Sequence, residues 1–239
     1  MRFGVARATT TLNTHPHRVW HFRRYAAELL GTGVLVLFGV GSSMIAERTH
    51  AFGIGGIALA FGLIVAVLIV AIGKISGAHI NPAVTLALWS QRHFHGRDVL
   101  PYIVAQCLGA IAGAALLLQI FGPMGTVGVT LPVIGAGLTL VIEMAYSALL
   151  SFAIFYLAAD ARIPRNYVPP MIGLVVFVGA RITGPITGGS FNPARSLGPA
   201  FVNGIWQHHW IYWVAPIVGM WIGAAAHAQL RVRFPLQRV

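Results

Sequence analysis

The sequence predicts an all-α membrane protein in which six transmembrane helices and two re-entrant half helices form an inverted repeat of three plus three spans. Three observations support this fold class: an apolar composition, six long apolar stretches, and an Asn-Pro-Ala box in each half of the chain. Of the 239 residues, 57% are hydrophobic and 9% are charged, and the mean hydropathy is +0.77. A soluble domain of this size carries far more charge, so the composition indicates an integral membrane protein.

The six apolar stretches are each long enough to cross a bilayer, which requires about 20 residues in a helix. They cover residues 24–45, 52–73, 98–121, 133–158, 167–184 and 208–230. The ten-residue alternation of apolar and polar positions that is typical of outer-membrane barrels is absent. We therefore interpret all six as helices.

The basic residues are distributed unevenly between the two sides of the membrane. An even number of spans places both termini on one side, and thirteen of the sixteen Lys and Arg residues fall there: Arg2, Arg7, Arg18, Arg23, Arg24, Lys74, Arg92, Arg97, Arg162, Arg165, Arg231, Arg233 and Arg238. Only Arg48, Arg181 and Arg195 lie on or towards the other side. This bias predicts cytoplasmic termini and a location in the plasma (inner) membrane. We expect no nucleic-acid partner, since no separate soluble domain could carry a basic patch.

The predicted organisation is one membrane domain between two short tails. Residues 1–23 are basic and lack the apolar core and cleavage site of a signal peptide, so we expect a cytoplasmic N-terminal segment. The membrane domain covers 24–231, and 232–239 form a cytoplasmic tail. The only cysteine, Cys107, rules out an intrachain disulfide and is expected to pack in an apolar helix.

The membrane domain divides into two similar halves, at about 24–121 and 133–231. Each half contains one acidic residue in its first span, Glu28 in "YAAELLGTGVLVLFG" and Glu143 in "LTLVIEMAYSALLSFAI". About 50 residues later come "ISGAHINPAVTLALW" and "ITGGSFNPARSLGPAF", whose Asn-Pro-Ala boxes lie 111 residues apart (192 − 81). Because each half has an odd number of spans, the halves have opposite orientations in the membrane, which is an inverted repeat.

The two boxes are Asn81-Pro82-Ala83 and Asn192-Pro193-Ala194, and each predicts the start of a half helix. Asn is a favoured N-cap and Pro is favoured at the first helical position. The glycine-rich segments before the boxes predict irregular backbone, which is tolerated at membrane depth only where it is buried or lines a water-filled cavity. We therefore expect the half helices to meet at their N-termini and to border a transmembrane pathway.

The segments "SGAHINPAVT" and "NPARS", on an inverted repeat with paired glutamates, resemble the aquaporin (major intrinsic protein) family over nearly the whole chain, from Glu28 to about Leu230. The resemblance implies a right-handed bundle that assembles into a homotetramer with one pore in each protomer. It implies a passive channel for water and small neutral solutes, embedded in the lipid bilayer, without a cofactor or a metal.

The resemblance also assigns roles to the residues of the boxes and of the segments before them. Asn81 and Asn192 cap the half helices and direct amide donors into the lumen, where the positive helix ends oppose cations and protons; capping alone is the simpler interpretation. Glu28 and Glu143 accept hydrogen bonds from the lead-in backbone, although membrane acids also carry protons. A ladder of carbonyl acceptors for water is expected from Gly77, Ala78, His79, Gly188, Gly189 and Ser190.

The narrow outer ring of the family maps onto Phe61, Ala180, Gly189 and Arg195, with Gly179 as the alternative to Ala180 if the count slips by one residue. Arg195 is expected to repel cations at the outer mouth; an anchor to a lipid phosphate is the alternative role. The small ring residues and the pattern "GPITGGSFNPARSLGPA" resemble the wider glycerol- and metalloid-conducting branches, including the plant nodulin-like group. These features predict passage of glycerol, urea and undissociated metalloid acids.

Other positions favour a strictly water-selective channel, which remains the alternative. Ser196 and Ala200 stand where glycerol facilitators carry an acid and a Lys, and Tyr212–Trp213 is a water-channel-like pair. A secondary transporter with inverted repeats is a further alternative, but the interiors of the spans contain no third acid for an ion site, since Asp98 is only the first residue of its span. An enzyme is not expected, because the histidines and the single cysteine show no zinc-site spacing and no catalytic triad stands out.

Overall fold

The computed structural model describes residues 15–123, 126, 128–159 and 163–233. These residues form eight helices: α1 (His15–Thr49), α2 (Ile54–Ser76), α3 (Pro82–Ser90), α4 (Gly96–Phe121), α5 (Ala136–Ala159), α6 (Val168–Thr187), α7 (Pro193–Asn203) and α8 (Ile211–Arg233). Six are long and apolar enough to cross a membrane, whereas α3 and α7 have only 9 and 11 residues. The predicted all-α fold of six spans and two half helices is confirmed.

The first helix begins earlier than the apolar stretch that predicted it. It starts at His15 and has 35 residues, so it includes the end of the segment expected to precede the membrane domain. At 1.5 Å per residue its length is about 52 Å, well beyond the roughly 30 Å hydrocarbon core. Its first turns therefore extend past the apolar layer, where a basic sequence is tolerated. Residues 1–14 of the predicted N-terminal segment and 234–239 of the predicted tail lie outside the described residues.

The two halves of the chain use the same contacts. The Tyr102 hydroxyl of α4 donates to the Ser76 carbonyl at the end of α2, at 2.8 Å. In the second half, the Tyr212 hydroxyl of α8 donates to the Thr187 carbonyl at the end of α6, at 2.7 Å. Both tyrosines are fully buried. Each therefore ties a transmembrane helix to the point where the chain leaves helical geometry and begins its irregular lead-in.

Small residues bring the long helices into backbone contact. A β-carbon at Gly109 or Gly113 of α4 would collide with backbone carbonyls of α1. A β-carbon at Gly219 or Gly223 of α8 would collide with backbone carbonyls of α5. Close approach through glycine is typical of helix pairs in membranes. The Gly-xxx-Gly spacing at 109 and 113 thus serves packing inside one protomer.

Candidate functional site

A cavity of about 360 Å³ runs between the helices and is bordered by residues of both halves. One part of its wall is apolar and is formed by aliphatic side chains of the long helices: Leu35, Val65, Ile69, Leu150, Ile154, Ile172 and Val176. The remaining wall is polar and contains the two box asparagines, exposed backbone of the lead-ins, and Arg195. A narrow, mostly apolar passage with one polar stripe can conduct a small molecule that exchanges hydrogen bonds along that stripe.

The two half helices meet at their N-termini through Asn81 and Asn192. The Asn81 Oδ1 accepts from the Ala83 N–H at 2.9 Å, and the Asn192 Oδ1 accepts from the Ala194 N–H at 3.0 Å, so both side chains are N-caps. Their amide groups cross over between the halves. The Asn81 Nδ2 donates to the Phe191 carbonyl and the Asn192 Nδ2 to the Ile80 carbonyl, each at 2.8 Å. Each amide has two N–H donors, so one remains for a molecule in the cavity.

The backbone before the first box is held in an unusual conformation by Glu28. Ala78 and Ile80 have positive φ values of 50° and 43°, which is rare for side chains other than Gly and most rare for a β-branched residue. The Glu28 carboxylate, fully buried, accepts from the His79 N–H at 2.9 Å and from the Ile80 N–H at 2.7 Å. The Gln106 side chain donates a third bond at 2.8 Å. The carboxylate thus accepts from the backbone N–H groups of His79 and Ile80, which have no helical carbonyl partner in this irregular segment.

Glu143 makes the equivalent contacts in the second half. It is fully buried and accepts from the Ser190 N–H at 3.0 Å and from the Phe191 N–H at 2.9 Å. The Thr187 hydroxyl adds a bond of 2.7 Å. Phe191 has a φ of 52° and so repeats the left-handed geometry of Ile80. Both acids lie behind the lead-ins and outside the cavity lining, a placement suited to holding backbone and not to carrying protons along the pathway.

The lead-ins present their backbone to the cavity. The cavity wall includes Gly77, Ala78 and His79 on one side, and Gly189 and Ser190 on the other. The His79 side chain is buried between Phe94 and Tyr102, at ring-centroid distances of 4.7 and 5.0 Å, and its Nδ1 lies 3.1 Å from the Thr85 hydroxyl.

Gly188, the sixth residue expected in the carbonyl ladder, is not part of that wall. It ends α6 in the left-handed region, with a φ of 89°, and its α-carbon packs against Thr130. Ile80 and Phe191, which the sequence did not single out, line the cavity beside the predicted residues.

The four residues of the predicted ring lie around one part of the cavity. The Arg195 guanidinium carbon lies 4.9 Å from the centroid of the Phe61 ring, a cation–π distance. Its Nη1 donates to the Gly128 carbonyl at 2.9 Å. Its Nε is buried and has no hydrogen-bond partner among the described residues. Arg195 is 6% exposed, which excludes an anchor to a lipid phosphate.

Ala180 lines the same cavity as Arg195, whereas its neighbour Gly179 does not line it. A β-carbon at Gly179 would collide with the ring of Tyr146, so Gly179 faces the interior of the bundle. Gly189 has a φ of 55°, and a β-carbon there would point at Thr183 and Gly184 of α6. Two sides of the ring are thus filled by Phe61 and Arg195, and the other two carry only a methyl group and backbone.

Three contributors were missed by the sequence analysis: Tyr102, Gln106 and the loop carbonyl of Gly128. Tyr212 was noted only as part of an aromatic pair, and its bond to the end of α6 was not expected. The tyrosines lie 110 residues apart (212 − 102), so the repeat that linked the boxes could also have linked them. Gln106 is a polar residue in an apolar span, which is a usual mark of a buried role. No feature of the loop between α4 and α5 pointed to Gly128.

Comparisons with known proteins agree with this geometry. The sequence profile of the family described as Major intrinsic protein matches residues 16–227. The chain is 42% identical over 228 residues to "Probable aquaporin AqpM" of Archaeoglobus fulgidus, covering 82% of this chain and 92% of that protein. It is 39% identical over 225 residues to Aquaporin Z of Photorhabdus laumondii, covering 87% and 97%. The X-ray structure of the aquaglyceroporin from Plasmodium falciparum has the same fold, with a TM-score of 0.75 at 24% identity over 90% of this chain and 96% of that chain.

Proposed function

The chain belongs to the major intrinsic protein (aquaporin) family, whose members are membrane channels and not enzymes, and from this membership we propose that it conducts water and small uncharged solutes passively while excluding ions and protons. Membership of this family identifies the chain as a water-channel protein. The solutes, the exclusion of charge and the residues responsible are the parts that need experiments.

The crossed asparagines are the observation that carries the proposal. Each amide uses one N–H on the carbonyl of the opposite lead-in, so the second N–H is available to the lumen. A water molecule between two such donors must accept from both with its oxygen. It cannot then accept a proton from the water before it, so the chain of hydrogen bonds is interrupted. The positive ends of α3 and α7 converge at the same place and oppose cations.

Charge exclusion at one end of the pore is attributed to Arg195. Its guanidinium is buried and held by a carbonyl and an aromatic face, so the positive charge is fixed in place. In a site with an effective dielectric of 20, two unit charges 4 Å apart repel by about 4 kcal/mol. A neutral solute does not meet this barrier.

Passage of glycerol, urea and undissociated metalloid acids is supported by the methyl group of Ala180 and the bare backbone of Gly189 at the ring. Strict water selectivity is the second candidate, favoured by Ser196, whose hydroxyl stands where glycerol facilitators carry an acid. The ratio of solute to water permeability separates the two. A secondary transporter is disfavoured, because Glu28 and Glu143, the acids that contact the lead-ins within the described residues, are engaged with backbone donors.

The remaining parts of the proposal concern topology and assembly. We place the protein in the plasma membrane. The uneven distribution of Lys and Arg residues places both termini in the cytoplasm. A single channel domain covers residues 24–231, and residues 1–23 and 232–239 are the cytoplasmic segments on either side of it. Four protomers form a homotetramer in the bilayer, as is typical of the family, with one pore in each.

Osmotic shrinkage of proteoliposomes tests the proposal, with two tryptophan variants on one helix as a matched pair. Val65 of α2 lines the cavity and is 8% exposed, whereas Val67 is 57% exposed on the outer surface. Val65→Trp should block the passage and reduce water flux to that of empty liposomes. Val67→Trp adds the same bulk outside the lumen and should conduct like the wild type.

Three results would contradict the proposal. Absence of wild-type water flux above empty liposomes, with correctly folded protein, would reject the channel. Flux that depends on an ion gradient would support a transporter instead. Equal flux through the Val65 and Val67 variants would show that water does not use this cavity.

A further inference from the structure

A chain of three buried hydroxyl groups connects the loop between α4 and α5 to the second box. The Thr130 hydroxyl donates to the Ser196 Oγ at 2.9 Å, and the Ser196 and Ser190 hydroxyls lie 2.5 Å apart. The Ser190 hydroxyl donates to the Asn192 carbonyl at 3.0 Å. The side chains of Thr130, Ser190 and Ser196 are 2%, 6% and 0% exposed. We call these three residues the hydroxyl chain.

The hydroxyl chain has a single direction, because each hydroxyl has only one hydrogen to donate. The hydrogen of Ser190 is used on the Asn192 carbonyl. Ser196 must therefore be the donor to Ser190, and the lone pair that remains on Ser196 accepts from Thr130. Every member donates one bond, and the sequence of bonds ends at the residue that caps α7.

The same loop supplies the carbonyl that holds Arg195. Gly128 lies two residues before Thr130, and its carbonyl accepts from the Arg195 Nη1 at 2.9 Å. Gly128 has a φ of 83°, and a β-carbon there would collide with Val40 of α1. On the other side, Thr130 packs against Gly188, where a β-carbon would come within 3.0 Å. The loop is thus seated between α1 and the second lead-in, and Thr130 provides its polar attachment.

The first half of the chain makes the equivalent contact without a loop. Thr85 stands four residues after Asn81, as Ser196 stands four residues after Asn192, and its hydroxyl donates to the Asn81 carbonyl at 3.1 Å. Thr85 accepts from the Gln106 side chain at 3.0 Å.

Gln106 stands four residues after Tyr102, and the matching position after Tyr212 is Pro216, which has no side-chain donor. In the second half the loop hydroxyl of Thr130 takes the place that a helix side chain fills in the first.

From this geometry we infer that Thr130 and Ser196 are positioning residues for Arg195. Their hydrogen bond fixes the loop, the loop fixes the Gly128 carbonyl, and that carbonyl fixes the guanidinium at the outer ring. The inference rests on the proposed function, in which Arg195 excludes charge and borders the path of solutes. Loss of either hydroxyl should leave the half helices intact and free the guanidinium to move.

The test compares Thr130→Val, Ser196→Ala and the double variant with the wild type in proteoliposomes. We expect water flux to persist, while potassium leak and the glycerol-to-water permeability ratio rise roughly three- to tenfold, the range for loss of one hydrogen bond. The double variant should match Ser196→Ala, because Ser196→Ala already removes the bond that Thr130→Val removes. Thr130→Ser keeps the hydroxyl and should behave as the wild type.

Ser147→Ala is the matched control, because this buried hydroxyl of α5 has no partner within the described part of the chain. It removes a hydroxyl without touching the hydroxyl chain and should change neither readout. The inference is overturned if the wild type conducts water but the variants show unchanged leak and permeability ratio, or if the two single effects add in the double variant. If Thr130→Val fails to fold, Ser196→Ala decides alone. Loss of water flux in the wild type rejects the proposed function itself.

Discussion

Replacing Ala180 by leucine tests whether the missing side chains at the ring determine which solutes pass. Ala180 lies on the regular helix α6 and lines the same cavity as Arg195. Leucine is compatible with helical backbone, so the variant changes the width of the passage without straining the chain. Gly189 is the less suitable position, because its φ of 55° strains any other residue.

The size of the effect follows from the packing around the ring. The Arg195 guanidinium carbon packs 4.9 Å from the centroid of the Phe61 ring, and Ala180 lines the same cavity, so we expect a leucine there to narrow the remaining space. Forcing added carbon atoms against a packed wall costs about 1–3 kcal/mol. Since each 1.36 kcal/mol of barrier is tenfold in rate, glycerol permeability should fall roughly 5- to 150-fold. Water is smaller and should change by less than about threefold, equivalent to about 0.7 kcal/mol.

Stopped-flow light scattering of proteoliposomes measures both permeabilities in one preparation. Ala225→Leu is the matched control, since Ala225 is exposed on α8 and the substitution is identical. The control should leave both permeabilities unchanged. An equal fall of glycerol and water permeability in Ala180→Leu, or a fall of neither, would refute the reasoning that the ring is wide because its side chains are small. A wild type impermeable to glycerol would favour the strictly water-selective alternative.

Three further predictions concern the filter and the packing. Arg195→Val removes a fixed buried cation, so potassium leak should rise at least about tenfold in a liposome flux assay, and an unchanged leak would reject its role in exclusion. Glu143→Gln places an amide donor among three donors, which leaves one group unpaired and should lower the free energy of unfolding by about 1–3 kcal/mol. The melting temperature in detergent should fall, and an equal melting temperature would contradict the anchoring role. Gly219→Ala should destabilise the protein by about 1–3 kcal/mol because its β-carbon meets an α5 carbonyl. Gly137→Ala has open space and should not be destabilised, so equal effects in the same unfolding assay would disprove the packing argument.

The elements that the sequence predicted best are those with local causes. Asn81 and Asn192 were expected to cap half helices because Asn followed by Pro is a favoured helix start, and both helices begin at the proline. The six spans followed from apolar length, which depends only on bilayer thickness. Helix α1 begins at His15, before the predicted span, because hydropathy detects the part of a helix inside the membrane and not the turns beyond it.

Contacts between distant segments were predicted only where the repeat or the family resemblance supplied them. Glu28 was expected to bind the lead-in backbone. The N–H groups from which it accepts depend on the left-handed conformation of Ala78 and Ile80. Neither residue type favours a positive φ, so the sequence could not predict this geometry. Thr130 lies in the connection between the halves, outside the repeat, so neither periodicity nor symmetry pointed to it. Its role depends on where a long loop is seated, which only the folded chain reveals.

The most informative departure from symmetry lies three residues after each box asparagine. The inverted repeat gives two equivalent half helices with the same cap, the same proline and the same crossed amide. At the equivalent position the first half carries Val84 and the second carries Arg195, and both side chains border the cavity. A symmetric pair would place either two charges or none along the path. Under the proposed function, the single charge of Arg195 repels cations. Val84 adds no second charge to the pathway, so the proposal assigns the filter to the half that carries Arg195.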